Sequence, residues 1–400
     1  MASPARKHSH ILELDGVRGI AILLVMILHF GAGYAVAHNS LLASGINLGW
    51  AGVDLFFVLS GFLITGILLS TKKDPHYFRN FYLRRALRIL PLYYLYLLVF
   101  AFIFLPVAHH YHKYLVDQIG QLSLYWVHLS NWSYKFAPLM GSPVGQMWSL
   151  AIEEQFYFLW PLLVFLLPNE ILLLVCVALA ATSLGLRLLP SMQALQLVHH
   201  EFLYRLTPFR IEPLCYGALI ALISRKIRAT ADFRGWAGWI CLIFGVGLLC
   251  FVRIHSHTLE RGSPGMTSFG YTALGMCASG LVLLALRYEG SNAIYARMLR
   301  SRVLRTLGKY SYAMYIFHLP ISQFGQKVVE HFMKNSLGAL LLNGTVGITL
   351  TFLLAKLSWA CFESPILSLK DRIAGYRKAV DFEPRIEESA EPSLAGAKSA

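Results

Sequence analysis

Arg18 and His29 are two residues able to do chemistry within a single apolar stretch, LDGVRGIAILLVMILHF, residues 14–30. In a helix, their separation of eleven positions places them about 16 Å apart and within about 20° of one face. The pair combines a permanent cation with an imidazole that can accept a proton. Polar groups inside a membrane helix are usually functional, but an interfacial anchor and a hydrogen-bonded packing histidine explain this segment equally well.

Carboxylates that could assist a histidine occur in two other apolar stretches. Glu153 and Glu154 are neighbours in WSLAIEEQFYFLWP, and Asp54 lies in GVDLFFVLSGFLIT. Two adjacent carboxylates in lipid are costly, so at least one should be protonated, paired or in contact with water. Because adjacent residues point about 100° apart on a helix, we expect one of the two glutamates to face His29. A purely structural pair is the alternative.

A group of arginines precedes the third apolar stretch, in FYLRRALRILPLYY. Arg84 and Arg88 are one helical turn apart and share a face, and Arg85 lies at its rim. Arginine suits bidentate contact with phosphate, so the group could hold a phosphorylated ligand. It is explained equally well as a cytoplasmic anchor of a membrane helix.

Further polar residues interrupt the later apolar stretches. Arg210 and Glu212 in FRIEPLCYGAL are predicted to form a buried ion pair or to line the same cavity as His29. His318 lies in LGKYSYAMYIFHLP beside Tyr312, and a packing role explains it at least as well as catalysis. Asp15, three positions before Arg18, is a further candidate for the cavity wall.

Composition identifies the class of protein that must position these residues. Of 400 residues, 56% are hydrophobic and 14% are charged, and the mean hydropathy is +0.55. Because a soluble domain has about a quarter of its residues charged, we expect an all-α polytopic membrane protein. The hydrophobic pattern predicts ten spans, at about 18–37, 51–70, 88–106, 148–168, 170–189, 208–223, 236–253, 267–287, 310–328 and 336–360.

The distribution of basic residues predicts the topology. The loops on the N-terminal side of the ten spans hold 25 Lys and Arg, and the opposite loops hold 7. This bias places both termini in the cytoplasm. It also explains the net charge of +14 without a nucleic-acid partner. The polar start, MASPARKHSH, is not followed by a cleavage site, so no cleavable signal peptide is expected.

Metal and disulfide sites are not indicated. The six cysteines show no CxxC or His/Cys zinc spacing, which favours packing roles. The run HHYH at residues 109–112 could bind a metal, but a wet interfacial loop is the preferred interpretation. We therefore expect no metal and no permanently bound cofactor. Residues 1–367 are predicted to form the membrane domain, and residues 368–400 a polar, disordered tail.

Seven motifs in order resemble the acyltransferase-3 family of integral membrane O-acyltransferases. They are the five stretches quoted above around residues 14–30, 52–65, 148–161, 209–219 and 307–320, together with RRALRILPLYY and the closing FESP. The resemblance covers residues 10–367. It implies ten helices in a bacterial inner membrane, a cytoplasmic acyl-CoA donor, a hydroxyl acceptor and an essential Arg-x10-His pair, here Arg18 and His29. Some relatives carry an additional esterase-like domain, which is not expected in this chain.

On this basis a mechanism can be predicted. Arg18, with the group at 84–88, would hold the CoA phosphates, and the thioester would lie beside His29, near the reach of a pantetheine arm. His29 would act as general base or as a transient acyl-imidazole nucleophile, oriented by one of the carboxylates. We expect an acetyl group and a glycan acceptor, with a macrolide or lipid-linked glycan as further options. A transporter of a sugar or lipid-linked intermediate is the alternative function, and a non-catalytic sensor or scaffold is a third.

Overall fold

The described part of the chain is built from helices. A computed structural model describes residues 11–38, 40–104, 106, 119–135, 142–198, 202–226, 230–333 and 336–373, and no strand occurs among them. The predicted all-α fold is therefore confirmed. The HHYH run and the tail beyond residue 373 lie outside the described residues, as do the first ten residues.

The described residues form seventeen α-helices. In chain order they are α1 Leu12–Ala37, α2 Leu41–Asn47, α3 Ala51–Thr71, α4 Tyr77–Val99, α5 Ile119–Trp126, α6 Met147–Leu166, α7 Asn169–Leu188, α8 Pro190–Val198, α9 Phe202–Arg205, α10 Thr207–Arg210, α11 Glu212–Lys226, α12 Ala231–Ser256, α13 Tyr271–Arg287, α14 Ile294–Leu299, α15 Arg302–Met333, α16 Leu337–Ser358 and α17 Ser364–Ile373. Three π-helical turns, Phe100–Phe104, Met266–Gly270 and Trp359–Glu363, join or extend the longer helices.

Eight helical segments of the described residues are long and apolar enough to cross a membrane. They correspond to all of the predicted spans except the sixth and the ninth. The sixth, 208–223, coincides with the 15-residue helix α11 and the turn before it. The ninth, 310–328, lies within α15, a more polar helix of 32 residues. A multi-pass membrane protein is confirmed, whereas the count of ten and the side of the termini stay predictions.

The surface of the bundle fits a hydrocarbon environment. Large apolar side chains on α7 and α12 point outward, such as Leu174, Trp236 and Ile243, which are 64%, 73% and 68% exposed. By contrast, α3 and α13 are largely buried. The apolar exterior and packed centre are those of a membrane bundle rather than of a water-soluble one.

Two helix crossings with glycine at the contact bring the polar residues together. A Cβ atom at Gly61 of α3 would lie 2.0 Å from the carbonyl oxygen of Leu214 in α11. A Cβ atom at Gly308 of α15 would lie 2.0 Å from the carbonyl oxygen of Asp15 in α1. Only a residue without a side chain permits such close approach of two backbones. The second crossing places α15 directly beside Arg18.

Candidate active site

A basic cavity, here called the basin, opens where α1 and α15 begin. It has a volume of about 870 Å³ and is lined by residues of α1, α3, α4, α15 and the segment after α16. Its wall contains seven arginines and one lysine but only two aspartates, Asp15 and Asp74. The cations are Arg18, Arg84, Arg85, Arg88, Arg300, Arg302, Arg305 and Lys309. The predicted Arg18–Arg84–Arg85–Arg88 group is thus brought to one cavity, and four more cations join it.

Several of these cations form no ion pair with another described residue. Arg300 is engaged, because it forms an ion pair of 3.0 Å with Glu13 and also donates a hydrogen bond to a backbone carbonyl. Within the described residues, the side chains of Arg18, Arg88, Arg302 and Arg305 make no hydrogen bond or ion pair. Clustered unpaired cations repel one another, so they favour a ligand with several negative charges.

A narrow cavity of about 100 Å³, here called the neck, continues from the basin into the bundle. The two cavities share Arg18, Arg85 and Arg88 as lining residues. The neck also contains a hydrogen-bonded chain in which the Tyr157 hydroxyl donates to Ser60 at 3.0 Å. Ser60 in turn donates to the carboxylate of Glu153 at 2.6 Å. Glu153 is therefore the predicted carboxylate that lies on the path from the arginines.

His29 lines a third cavity, of about 190 Å³, here called the His29 cavity. It shares Val53 and Tyr315 with the neck, so the three cavities follow one another along α1. Its other lining residues include Trp50, Gln146, Trp148, Tyr204, Arg205, Arg261 and Leu319. Arg18 and His29 thus lie at two ends of one line of cavities, as their spacing predicts.

The hydrogen bonding of His29 determines which ring nitrogen is available. Nδ1 lies 2.9 Å from the carbonyl oxygen of Val25. A carbonyl oxygen can only accept, so Nδ1 carries a hydrogen and donates it. The neutral ring then has its lone pair on Nε2. His29 is therefore held in the tautomer that lets Nε2 act as a base or nucleophile.

His318 lies against His29. The two ring centroids are 4.6 Å apart in an edge-to-face arrangement. His318 is fully buried, and its Nδ1 donates to the carbonyl of Tyr315 at 2.7 Å. Its Nε2 has no hydrogen-bond partner among the described residues. His318 therefore packs directly against the ring of the candidate base, His29.

Two arginines reach the His29 cavity from segments outside the eight membrane helices. The guanidinium of Arg261 lies 5.0 Å from the ring centroid of Tyr204, and that of Arg205 lies 6.0 Å from the ring of Trp148. Burial lowers the pKa of both groups from the ordinary arginine value. These side chains enter at the end of the bundle opposite to the basin, so the His29 cavity is built partly from that end.

Asp54 has a structural partner. Its carboxylate forms an ion pair of 2.9 Å with Arg210, and both side chains are fully buried. The predicted pairing of Arg210 with Glu212 is wrong, because Glu212 instead binds Arg187 at 2.5 Å. The helix is interrupted at Ile211, between α10 and α11. Arg210 therefore pairs with a residue of α3, and Glu212 pairs with a residue of α7. None of these side chains lines the basin, the neck or the His29 cavity.

The remaining predicted residues are divided between the cavities and other positions. Asp15 lines the basin, and Tyr312 lines the neck with its hydroxyl donating to the carbonyl of Ile89 at 2.7 Å. Glu154 lines none of the three cavities, and Glu153 lines the neck but not the His29 cavity. The prediction that one of the two glutamates faces and orients His29 is therefore wrong, because the Val25 carbonyl holds the ring instead. No group of three or more His, Cys, Asp or Glu positioned for a metal occurs in the described segments.

Sequence reasoning did not select the basin residues of α15 or the arginines of the His29 cavity. In the sequence, Arg302, Arg305 and Lys309 contribute only to the prediction of topology. The sequence contains a signal for this group of cations, because residues 302, 305 and 309 have the spacing of residues on one face of a helix. Arg205 and Arg261 were two of only seven basic residues on the loops opposite to the N-terminal side, and that rarity could have drawn attention to them.

Comparisons with known proteins find one family model and several curated relatives. A family model described as an acyltransferase domain, of the acyltransferase-3 type, matches residues 11–359. The peptidoglycan O-acetyltransferase OatA of Listeria monocytogenes is 29% identical over 89% of this chain and 56% of its own length. The putative peptidoglycan O-acetyltransferase YrhL of Bacillus subtilis is 29% identical over 94% of this chain and 57% of its own.

The O-acetyltransferase OatA of Staphylococcus aureus is 28% identical over 88% of this chain and 56% of its own length. The chain thus spans a little over half the length of the curated relatives it matches. No solved structure matches it. The family match extends over nearly all of the region that carries the seven motifs, so the resemblance inferred from those motifs is confirmed.

Proposed function

Because this chain belongs to the acyltransferase-3 family, we propose that it transfers an acetyl group from acetyl-CoA to a hydroxyl of a glycan. The observation that carries this proposal is the line of three cavities from unpaired arginines to His29. Coenzyme A has several phosphates at one end and its thiol at the other. The basin suits the phosphates, and the neck suits the uncharged pantetheine arm.

The two ends of the path suit two substrates on opposite sides of a membrane. The excess of basic residues on the N-terminal side supports a cytoplasmic basin, where acyl-CoA is available. The aromatic and arginine side chains around His29 enter from the other end. The acceptor binds there, with aromatic surfaces for sugar rings. The small volume beside His29 favours a short acyl group. The relatives are named as O-acetyltransferases, and that of Listeria monocytogenes as one that acts on peptidoglycan.

His29 performs the proton transfer. The acceptor hydroxyl gives its proton to Nε2 while its oxygen bonds to the thioester carbonyl carbon. The C–S bond then breaks, and the CoA thiolate takes the proton from Nε2. In the covalent variant, Nε2 itself attacks the carbonyl carbon and the C–S bond breaks, so that CoA leaves as the thiolate. The acceptor hydroxyl then attacks the acyl-imidazole, gives its proton to the thiolate and releases His29. The carboxylate of Glu153 accepts a hydrogen bond of 2.6 Å from Ser60 and supplies negative charge within the neck.

The test is acetyl transfer by purified protein in lipid nanodiscs, with acetyl-labelled acetyl-CoA and soluble peptidoglycan fragments. His29→Ala should lower the rate by about 10²- to 10⁴-fold, because the base is lost. His38→Ala is the matched control, since His38 directly follows the last residue of the same helix and has the same Nδ1 bond to the carbonyl four residues before, yet lines none of the three cavities. Near-normal activity of His29→Ala would refute the proposal, as would an equal loss in both variants.

Labelling without acceptor separates the two chemical routes. The covalent route predicts stoichiometric transfer of label to the protein, lost in His29→Ala. The direct route predicts no labelled protein under conditions in which added acceptor is acetylated. A transporter would release no free CoA thiol from acetyl-CoA in either experiment.

A further inference from the structure

Six of the eight cations of the basin form two groups, of which only one also lines the neck. Arg18, Arg85 and Arg88 line both the basin and the neck. Arg302, Arg305 and Lys309 line the basin alone. The second group is spaced by three and four positions on α15, so its members share one face of that helix. We call this second group the outer cations.

The outer cations are available to a ligand. Within the described part of the chain, neither Arg302 nor Arg305 makes a side-chain hydrogen bond or an ion pair, and the Nε atom of Arg305 is buried without a partner. Arg300, two residues before α15, is the contrasting case, because Glu13 neutralises it. The crossing at Gly308, which lies between Arg305 and Lys309 in the chain, fixes the position of α15 against α1.

An aromatic ring lies beside the outer cations. Trp359 lines the basin, and the ammonium group of Lys309 lies 5.2 Å from its ring centroid. A flat aromatic surface next to fixed cations suits a purine ring with a phosphate close to it. Trp359 is the only tryptophan among the described residues that line the basin.

We propose that the outer cations and Trp359 form a subsite for the 3′-phosphorylated adenosine end of the acyl donor. This inference rests on the proposed use of acyl-CoA. Chemical connectivity gives the order of the groups: the pyrophosphate is attached to the pantetheine that enters the neck, so it lies at Arg18, Arg85 and Arg88. The ribose 3′-phosphate is farthest from the thiol, and it meets the outer cations. Acetyl-dephospho-CoA lacks only this phosphate.

The experiment measures the ratio of kcat/KM for acetyl-CoA to that for acetyl-dephospho-CoA. A charge-assisted contact to the 3′-phosphate should give the unmodified protein a ratio of about 10 to 100. Arg305→Ala should lower the ratio about tenfold. Arg297→Ala, which removes an exposed arginine that does not line the basin, should leave it unchanged. The ratio does not depend on the amount of folded protein, so a poorly folding variant still gives an answer.

Three results would overturn the inference. Equal use of both donors by the unmodified protein means that the 3′-phosphate is not recognised, although acyl-CoA remains the donor. An unchanged ratio in Arg305→Ala, with a similar loss for both donors, means that the outer cations bind a membrane phospholipid headgroup or only stabilise the fold. Turnover of neither donor removes the proposed function together with this subsite.

Discussion

Replacing Gly308 with alanine tests whether the crossing of α1 and α15 holds the basin together. The added Cβ atom would lie 2.0 Å from the carbonyl oxygen of Asp15. An ordinary C···O contact is about 3.3 Å or more, so the helices must separate by about 1.3 Å. The atom it meets is backbone and cannot rotate away. Overpacking of this kind costs about 1–3 kcal/mol.

Gly344→Ala provides the matched control. Gly344 is also in the interior of a long helix, α16, but nothing lies within 4 Å of a Cβ atom built there. Both substitutions gain about 1 kcal/mol of helix propensity, so the difference between the two variants isolates the clash. The midpoint of thermal unfolding in detergent should fall for Gly308→Ala and should stay or rise for Gly344→Ala.

The same pair of variants tests the functional reasoning. Gly308 lies between Arg305 and Lys309, and its contact is next to Arg18. A displacement of about 1 Å moves the cations of α15 away from those of α1, and misplacement of this size can cost up to about 100-fold in rate. The kcat/KM for acetyl-CoA should therefore fall in Gly308→Ala at a temperature where the protein stays folded. Equal midpoints and equal kcat/KM in the two variants would refute the account of the crossing.

Two further predictions concern charged residues inside the bundle. Arg18→Gln should raise the KM for acetyl-CoA about 10- to 100-fold, because a charge-assisted contact is lost. Arg79→Gln is the control and should leave the KM unchanged, because Arg79 does not line the basin. An unchanged KM in Arg18→Gln would exclude Arg18 from the donor site. Asp54→Asn leaves Arg210 buried without its counter-ion and should lower the free energy of unfolding by about 3–5 kcal/mol, measured by denaturant unfolding. Full stability with loss of acetyl transfer would instead give Asp54 the catalytic role that its sequence position predicts.

The relation between Arg18 and His29 could be predicted from the sequence because both lie in one helix. Helical rise and rotation are fixed by the backbone, so a spacing of eleven determines distance and face without knowledge of the neighbours. The structure places Arg18 in the basin and the neck and His29 in the cavity beyond. The all-α membrane fold was predictable for a similar reason, since hydrophobic length alone identifies most of the spans.

Partners on different helices could not be predicted, because sequence proximity does not determine them. Arg210 and Glu212 are two positions apart, yet they bind Asp54 and Arg187. The choice between Glu153 and Glu154 depended likewise on which helix faces which, since both are equally suited to the chemistry. Only Glu153 lines the neck and accepts a hydrogen bond from Ser60. Such outcomes depend on three-dimensional packing.

Arg18 and His29 both belong to α1, and this determines how the site responds to substitutions in the other helices. Arg18 and His29 are held by a single continuous backbone, so their separation is independent of how the other helices pack. The remaining parts of the path come from other helices: Glu153 from α6, the neck arginines from α4 and the outer cations from α15. Under the proposed function, perturbing a helix crossing changes how the proposed donor fits, while the distance between Arg18 and His29 stays constant. Binding of acetyl-CoA should respond to such changes more strongly than the chemical step at His29.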